Sequence, residues 1–174
     1  MSEASSARAG NDAVDEPLSP ALSKAASSLA AFRFTSSVVV RFCEIDGNRH
    51  ANETSYFVYM EHVRMEYFAH LGLFDELLDV SGAASLMAVS FNCQFHRPSG
   101  FLQRLITAAR VVRVGRSSVE LAYAIADEDD ALIATGGQTL VYVEHEHTRS
   151  TPLPDVARSR IAAFENLSLS EARV

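Results

Sequence analysis

At 174 residues the chain is long enough for one domain with a substantial core and too short for two ordinary domains. Hydrophobic residues make up 48% and charged residues 21%, a balance typical of a soluble globular protein. The formal net charge of −7 argues against nonspecific nucleic-acid binding, and no segment approaches the roughly 20 apolar residues that span a bilayer. The two cysteines form no disulfide framework and a secretory signal is absent, so we expect a cytoplasmic protein.

The N-terminal segment is rich in Ser, Ala, Asp and Pro and contains no large aromatic residue. Such a composition buries too little apolar surface to offset the entropy that is lost on ordering. We therefore expect a disordered tail over residues 1–30, with a short helix from Pro20 as an alternative. A folded domain over residues 31–148 and a C-terminal extension over residues 149–174 would follow.

An alternating apolar pattern after this tail predicts the first strand, which would deliver Asp46 at its end. The apolar face of this strand would carry Phe34, Val38, Val40 and Phe42. A polar loop follows Asp46 and leads to a helix.

A long amphipathic helix is predicted to begin after Asn52. The Asn52 side chain can accept a hydrogen bond from one of the first backbone N–H groups, and Glu53 suits the positive end of the helix dipole. Gly72, followed by Leu73, supplies a left-handed stop. Apolar residues at spacings of three and four indicate one strongly buried face. That face would carry Tyr56, Phe57, Met60, Val63, Tyr67, Phe68 and Leu71.

Four further strands are predicted, at about residues 86–96, 103–114, 117–127 and 131–145. A helical turn and loop over residues 73–82 precedes them, and a short helix follows Pro154. Gly136 and Gly137 in the last strand indicate a bulge or a close backbone approach. One helix inserted after the first strand and then a four-strand meander predict an α+β fold, in which an antiparallel sheet covers a single helix.

Asp46 would lie near the N-terminus of the long helix, where unpaired N–H groups and about half a positive charge attract an anion. A carbonyl oxygen bound there would be polarised toward an oxyanion. Asp46, ionised at neutral pH, could attack that carbonyl directly or draw a proton from water. The alternative is that Asp46 only caps a turn, which is the usual role of an aspartate in a polar loop.

The stretch from Val40 to Phe68, VRFCEIDGNRHANETSYFVYMEHVRMEYF, resembles the signature of the 4-hydroxybenzoyl-CoA thioesterase family of hotdog-fold acyl-CoA thioester hydrolases. The residues at matching positions are Asp46, His50, Asn52, Tyr56, Tyr59, Glu61 and Arg64. Further similarity is found at 97–99, 114–118 and 152–154, so that the resemblance covers about residues 35–154. Two positions depart from the family pattern: Arg49 replaces a usual glycine, and Gln103 stands where many relatives carry aspartate.

The resemblance implies a hotdog fold, with a five-stranded antiparallel sheet wrapped around one long central helix. It also implies a homodimer or homotetramer in which sheets pair edge to edge and both subunits line each active site. Asp46 would act on the thioester, the backbone N–H of Glu53 would polarise its carbonyl, and His50 would shape the loop. Substrate contacts are implied for Asn52, Tyr56, Tyr59, Arg97, Arg116, Ser117 and Ser118.

The implied reaction is hydrolysis of an acyl-CoA or acyl-carrier-protein thioester. CoA would be part of the substrate, and no metal or redox cofactor is expected. A noncatalytic acyl-CoA-binding domain stays open as an alternative, since the same pocket could bind without turnover. Dehydration of 3-hydroxyacyl thioesters is disfavoured, because the chain lacks the Pro-Gly-rich histidine loop that this chemistry needs.

Two histidine clusters admit metal binding as an alternative to a solvated surface, which we expect for both. The first cluster is His62, Glu66 and His70 on one helical face, and the second is His145, Glu146 and His147 at a strand end. Glu61 is a second candidate carboxylate for catalysis. Its spacing from Arg64 predicts a structural pair instead.

Overall fold

The computed structural model describes residues 28–78, 84–144 and 149–168. The elements in chain order are β1 (Phe34–Val39), α1 (Glu53–His70), α2 (Phe74–Leu78), β2 (Ala84–Phe95), β3 (Arg104–Val114), β4 (Ser118–Ala126), β5 (Leu132–Glu144) and α3 (Asp155–Glu165), with 3₁₀ turns at Leu29–Ala31 and Phe42–Glu44. The strands form one antiparallel sheet in the order β1-β3-β4-β5-β2, which confirms the predicted α+β class. The predicted four-strand meander is wrong for its first strand, because β2 pairs with β5 and β1 takes the place beside β3. No helix in these ranges is long and apolar enough to cross a membrane.

Some expectations concern residues outside the described ranges. They are residues 1–27 of the tail expected over 1–30, with the alternative helix from Pro20, and the histidine cluster at 145–147. Residues 28–30 of that tail are described, and the 3₁₀ turn Leu29–Ala31 packs beside β3 and β4 in a small second cluster of the core.

Helix α1 begins and ends where its sequence signals predict. The Asn52 side chain accepts a hydrogen bond from the Thr54 N–H at 3.0 Å, and Glu53 lies in the first turn. At the other end Gly72 has a left-handed φ of 65°. The Arg160 guanidinium donates to the Gly72 carbonyl at 2.8 Å. Both ends of the helix are therefore fixed by polar contacts as well as by packing.

Gly136 in β5 shows how closely the helix approaches the sheet. A Cβ atom at this position would lie 2.6 Å from Met60 Sδ and 2.7 Å from the Asn92 carbonyl oxygen. The ladder between β5 and β2 is unbroken here, and its irregularity lies between Ala88 and Ser90. Of the two predicted explanations for the glycine pair, the close approach is therefore the one that holds.

The prediction that the first strand runs directly into Asp46 is wrong. β1 ends at Val39, and the 3₁₀ turn Phe42–Glu44 intervenes. The turn forms because the Glu44 carboxylate accepts a hydrogen bond from the Arg41 backbone N–H at 2.7 Å, which folds the chain back. Phe42 is consequently 78% exposed instead of continuing the apolar face. The other four strands agree with their predicted bounds to within two residues at each end.

Helix α3 packs onto the sheet and buries Ile161 completely. At its end the Glu165 carboxylate accepts hydrogen bonds from the Tyr67 hydroxyl at 2.9 Å and from the Val111 N–H at 3.3 Å. Burial raises the pKa of this carboxyl above its usual range, although the Tyr67 hydroxyl and the nearby Arg110 guanidinium act to lower it. The described part of the C-terminal extension is thus built into the same core as the sheet.

Candidate active site

The loop between β1 and α1 carries Asp46 on a tight turn. The Asp46 N–H donates to the His50 carbonyl at 2.9 Å, and the Arg49 N–H donates to the Asp46 carbonyl at 3.1 Å. Ile45 and Ala51 pair on either side, so the loop is a miniature hairpin. Arg49 has a φ of 63°, a left-handed conformation that costs a non-glycine residue about 1–2 kcal/mol. Position 49 thus has the backbone conformation that a glycine would favour.

The Asp46 side chain is half-buried and uses only one of its oxygens within the loop. Oδ1 accepts hydrogen bonds from the Asn48 N–H at 2.8 Å and from the His50 N–H at 3.3 Å. Among the described residues, no donor contacts Oδ2. That oxygen is therefore available to a substrate or to water.

The turn between β4 and β5 repeats this geometry at Asp127. Its Oδ1 accepts from the Asp129 N–H at 3.0 Å and from the Ala131 N–H at 2.9 Å. The backbone bonds match as well, because the Asp127 N–H donates to the Ala131 carbonyl at 3.0 Å. Asp130 has a left-handed φ of 60°, as Arg49 does in the other turn. Turn capping is therefore common to Asp46 and Asp127. A catalytic role for Asp46 must be argued from its surroundings.

The first backbone N–H of α1, that of Glu53, has no acceptor in the part of the chain that the structure describes. The two groups that follow it are satisfied: the Thr54 N–H donates to the Asn52 side chain and the Ser55 N–H to the Asn52 carbonyl at 2.9 Å. The Glu53 N–H is thus a fixed donor at the positive end of the helix dipole.

Asp46 and Glu53 line the same open cleft, which has a volume of about 340 Å³. The cleft lies where the end of β2 meets the N-terminus of α1. Its lining residues are Asp46, His50, Ala51, Glu53, Tyr56, Phe95, His96, Arg97 and Pro98. The fold therefore brings together the three predicted catalytic residues with two of the predicted substrate contacts, Tyr56 and Arg97.

Aromatic and polar contacts hold one wall of this cleft. The Tyr56 hydroxyl shares a hydrogen bond of 2.8 Å with Ser99 Oγ, and its ring meets Phe95 edge to face at 5.4 Å. His96 Nε2 shares a hydrogen bond of 2.8 Å with Thr135 Oγ1. Sequence reasoning did not select Phe95 and His96, although their position directly before the Arg-Pro motif was an available signal.

Tyr59 and Asn52 do not line this cleft. The Asn52 side chain is occupied in capping α1. The Tyr59 hydroxyl donates to Glu44 Oε2 at 2.6 Å, and its ring lines a second cleft of about 340 Å³ on the β1 side of the helix. The second cleft is lined by Val38, Val39, Arg41, Val58, Tyr59 and His62.

Arg116, Ser117 and Ser118 lie at the far end of the sheet, at the turn between β3 and β4. β3 begins at Arg104, which pairs with Val39 just before the Asp46 loop. The 11 residues of β3 then extend for roughly 33 Å before the turn. A single chain does not bring these three residues to the cleft.

The remaining candidates have structural partners. Arg64 Nη2 donates to Glu61 Oε1 at 2.9 Å, which is the predicted pair, and Arg64 Nη1 donates to Gln138 at 2.8 Å. His62 Nε2 lies 3.4 Å from Glu66 Oε1. Within the described ranges there is no group of three or more His, Cys, Asp or Glu side chains that could hold a metal ion.

Sequence comparison identifies relatives of this chain. Residues 40–161 match the family described as the thioesterase-like superfamily. Protein YsmA of Bacillus subtilis, itself uncharacterised, is 28% identical over 124 residues, which cover 71% of this chain and 82% of that protein.

Solved structures share the fold. A thioesterase of Thermus thermophilus, in complex with coenzyme A and zinc, is 28% identical with a TM-score of 0.67, over 79% of this chain and 98% of that chain. A 1,4-dihydroxy-2-naphthoyl-CoA thioesterase from Synechocystis has a TM-score of 0.69 at 18% identity, over 74% of this chain and 95% of that chain, and at this identity the likeness shows the fold alone. The predicted hotdog fold is thereby confirmed. Because the family match spans well over half of its length, the chain belongs to the thioesterase-like superfamily, and its class of reaction is thioester hydrolysis.

Proposed function

We propose that this protein hydrolyses an acyl-CoA thioester to a free carboxylic acid and CoA, with Asp46 as the reacting carboxylate. The observation that carries the proposal is a shared cleft, to which both Asp46, with its free Oδ2, and Glu53, with its unsatisfied N–H, belong. A thioester whose carbonyl oxygen accepts a hydrogen bond from the Glu53 N–H would present its carbonyl carbon in the cleft that Asp46 also lines.

Two versions of the chemical step fit this arrangement. In the first, Asp46 Oδ2 attacks the carbonyl carbon and the C–S bond breaks, which leaves a mixed anhydride that water hydrolyses. In the second, Asp46 takes a proton from a water molecule as the oxygen of that water attacks the same carbon. The thiolate of CoA departs and is protonated in both versions, and neither version needs a metal or redox cofactor.

The helix N-terminus contributes in the same way to both versions. Negative charge develops on the carbonyl oxygen as the carbon is attacked, and the Glu53 N–H and the helix dipole would stabilise that charge. One such donor is worth roughly a hundredfold to a thousandfold in rate. His50 supports the loop through its backbone, since its carbonyl and its N–H both bond to Asp46.

The rest of the cleft would divide between the two parts of the substrate. We assign Tyr56 and Phe95, whose rings contact each other, to the acyl group. We assign the exposed guanidinium of Arg97 to a phosphate of CoA, because arginine binds phosphate oxygens in a bidentate manner.

A second copy of the chain would complete the CoA site. Among the described strands, β2 lies at an edge of the sheet and pairs only with β5. The exposed fractions of Met87, Val89 and Phe95 are 40%, 61% and 51%. The start of β2 lies at the same end of the sheet as the turn Arg116–Ser118, because Ser118 and Met87 both pair with Val141. Antiparallel pairing of two β2 edges would therefore bring this turn of one copy toward the cleft of the other.

Thiol release from a panel of acyl-CoAs tests the proposal. The panel contains benzoyl-, 4-hydroxybenzoyl-, acetyl-, hexanoyl- and palmitoyl-CoA, and a disulfide reagent detects the free thiol. We expect release above the uncatalysed background for at least one member. Thermal stabilisation by a member without any release would instead indicate a domain that binds acyl-CoA without turnover. Wild-type turnover in Asp46→Asn would remove Asp46 from the mechanism.

A further inference from the structure

Glu44 is a buried carboxylate that lies two residues before Asp46 and outside the cleft. The residue is only 8% exposed, and both of its side-chain oxygens are occupied. Oε1 accepts hydrogen bonds from Nε and Nη2 of the Arg41 guanidinium, and the bond from Nε is 2.9 Å long. Oε2 accepts from the Arg41 backbone N–H at 2.7 Å and from the Tyr59 hydroxyl at 2.6 Å. The carboxylate therefore joins the start of the loop to helix α1.

The backbone of Glu44 makes a second connection to the same segment. Its carbonyl accepts the Asn52 N–H at 2.8 Å, and Asn52 is the N-cap of α1. Between these residues the chain closes on itself through the pairing of Ile45 with Ala51. Glu44, at the start of the loop that carries Asp46, is thus bonded to Asn52 at the end of that loop.

Charge strengthens these contacts. Burial acts to raise the pKa of the Glu44 carboxyl, but hydrogen bonds from Arg41 and Tyr59 outweigh burial and leave that pKa below its usual range. Glu44 is therefore ionised at neutral pH, and charge-assisted hydrogen bonds are roughly twice as strong as neutral ones. Burial and the bond to Glu44 raise the pKa of Tyr59, which accordingly stays a protonated donor.

We propose that Glu44 is a positioning residue, which holds the Asp46 loop against the N-terminus of α1 through Tyr59. Tyr59 lies on the same rigid helix as Glu53, so its bond to Glu44 fixes the loop relative to the Glu53 N–H. The separation between Asp46 Oδ2 and this N–H is the geometry on which hydrolysis depends. The inference rests on the proposed function, because that separation matters only if both groups act on one carbonyl.

Tyr59→Phe tests the proposal, with Tyr67→Phe as its matched control. Both hydroxyls belong to α1 and donate to a buried glutamate, Glu44 for Tyr59 and Glu165 for Tyr67, but only the first contact adjoins the loop. We expect Tyr59→Phe to lower kcat roughly tenfold, because small displacements at a site cost up to about a hundredfold. KM should change little, and Tyr67→Phe should keep the wild-type kcat. Equal losses of kcat in the two variants would overturn the proposal.

Amide hydrogen exchange of residues 46–53, without substrate, is a second readout that does not depend on activity. Tyr59→Phe should accelerate this exchange at least roughly tenfold, the factor expected for losing one hydrogen bond to a charged group. Tyr67→Phe should leave it unchanged. Unchanged exchange in Tyr59→Phe would overturn the proposal. If the wild-type protein hydrolyses no thioester, the proposed function fails, and exchange still decides whether Tyr59 and Glu44 hold the loop.

Substitution of Glu44 itself separates shape from charge. Glu44→Gln keeps one oxygen that can accept from Tyr59, whereas Glu44→Ala loses every side-chain bond to the loop and the helix. The kcat of Glu44→Gln should therefore lie between those of the wild type and Glu44→Ala. A Glu44→Ala protein that folds and retains full kcat would overturn the proposal.

Discussion

Asp46 and Asp127 form a natural pair for asking whether a turn-capping aspartate also performs chemistry. Both hold the same turn, because Oδ1 of each accepts from the N–H groups two and four residues further on. Asparagine at either position keeps an Oδ1 acceptor and removes one negative charge. The loss of stability should be similar at both sites, about 1 kcal/mol, which is the difference between a charged and a neutral acceptor. For a chain of this size, that loss lowers Tm by about 2–4 °C.

Hydrolysis should separate the two variants. Asp46→Asn removes the nucleophile or base, and the rate should fall roughly 10²- to 10⁴-fold, which is about 3–5 kcal/mol in activation free energy. Asp127 does not line the cleft, so Asp127→Asn should keep kcat within about a factor of two. The expected pattern is therefore equal effects on Tm and very unequal effects on kcat.

The assay combines thermal unfolding, followed by circular dichroism, with thiol release at saturating acyl-CoA. Asp46→Asn creates an Asn-Gly sequence with Gly47, and such sequences deamidate readily. Residual activity must therefore be compared with the deamidated fraction, measured by intact mass, which is an upper limit on the regenerated aspartate. If the two variants lost similar, small amounts of activity, Asp46 would only cap a turn, and the reasoning from the shared cleft would fail.

Other features of the fold and of the strand edge can be tested separately. Gly136→Ala should lower Tm by roughly 2–12 °C, since overpacking costs about 1–3 kcal/mol. Gly100→Ala is the control, because a Cβ atom there has open space, and equal Tm values for the two variants would contradict the close approach at Gly136. Burial raises the folded-state pKa of Glu165, so the folded protein binds a proton at this carboxyl more tightly than the unfolded chain does. The stability that this proton contributes is present at low pH and is lost as the pH rises through the folded-state pKa. The Tm of the wild type relative to Glu165→Gln should therefore increase as the pH falls from about 8 to about 5, and a constant difference would count against this effect. Val89→Lys at the exposed β2 edge should convert a dimer into monomers in size-exclusion chromatography and weaken CoA binding; a wild-type monomer with full activity would refute the two-copy site.

The long helix could be predicted because its signals are local. The cap at Asn52, the glycine at 72 and the spacing of the apolar residues between them all lie within one continuous segment. The turn at Asp46 was predictable for the same reason, since the hydrogen bonds of the Asp46 side chain join residues at most four positions apart. Local hydrogen bonds and helical periodicity leave a direct trace in the order of residues.

The position of Tyr59 could not be predicted in this way. Tyr56 and Tyr59 are three residues apart, which separates them by roughly 60° around the helix axis. This angle is small enough for a shared buried face, yet it places one ring in the cleft and the other against Glu44. The 3₁₀ turn that presents Glu44 also ends the first strand early, so one unforeseen turn accounts both for the wrong strand end and for the contact that Tyr59 makes outside the cleft.

The turn Arg116–Ser118 illustrates a different limit. Its motif resembles a CoA-contacting segment, but the motif does not specify at which end of the sheet the turn lies. That information comes from the pairing of β3 with β1 and β4, which depends on the whole chain. A motif can therefore name residues of one site while leaving open whether one copy or two must assemble it.

The contacts of α3 also set an order of events during synthesis. Tyr67 is added 98 residues before Glu165, its hydrogen-bond partner, an interval of roughly 5–20 s at about 5–20 residues per second. Arg160, which caps the end of α1, is likewise made late. For this whole interval the Tyr67 hydroxyl lacks its carboxylate partner, although Phe34, which is made earlier, already contacts the Tyr67 ring. These contacts of the native core can therefore form only after α3 has emerged from the ribosome.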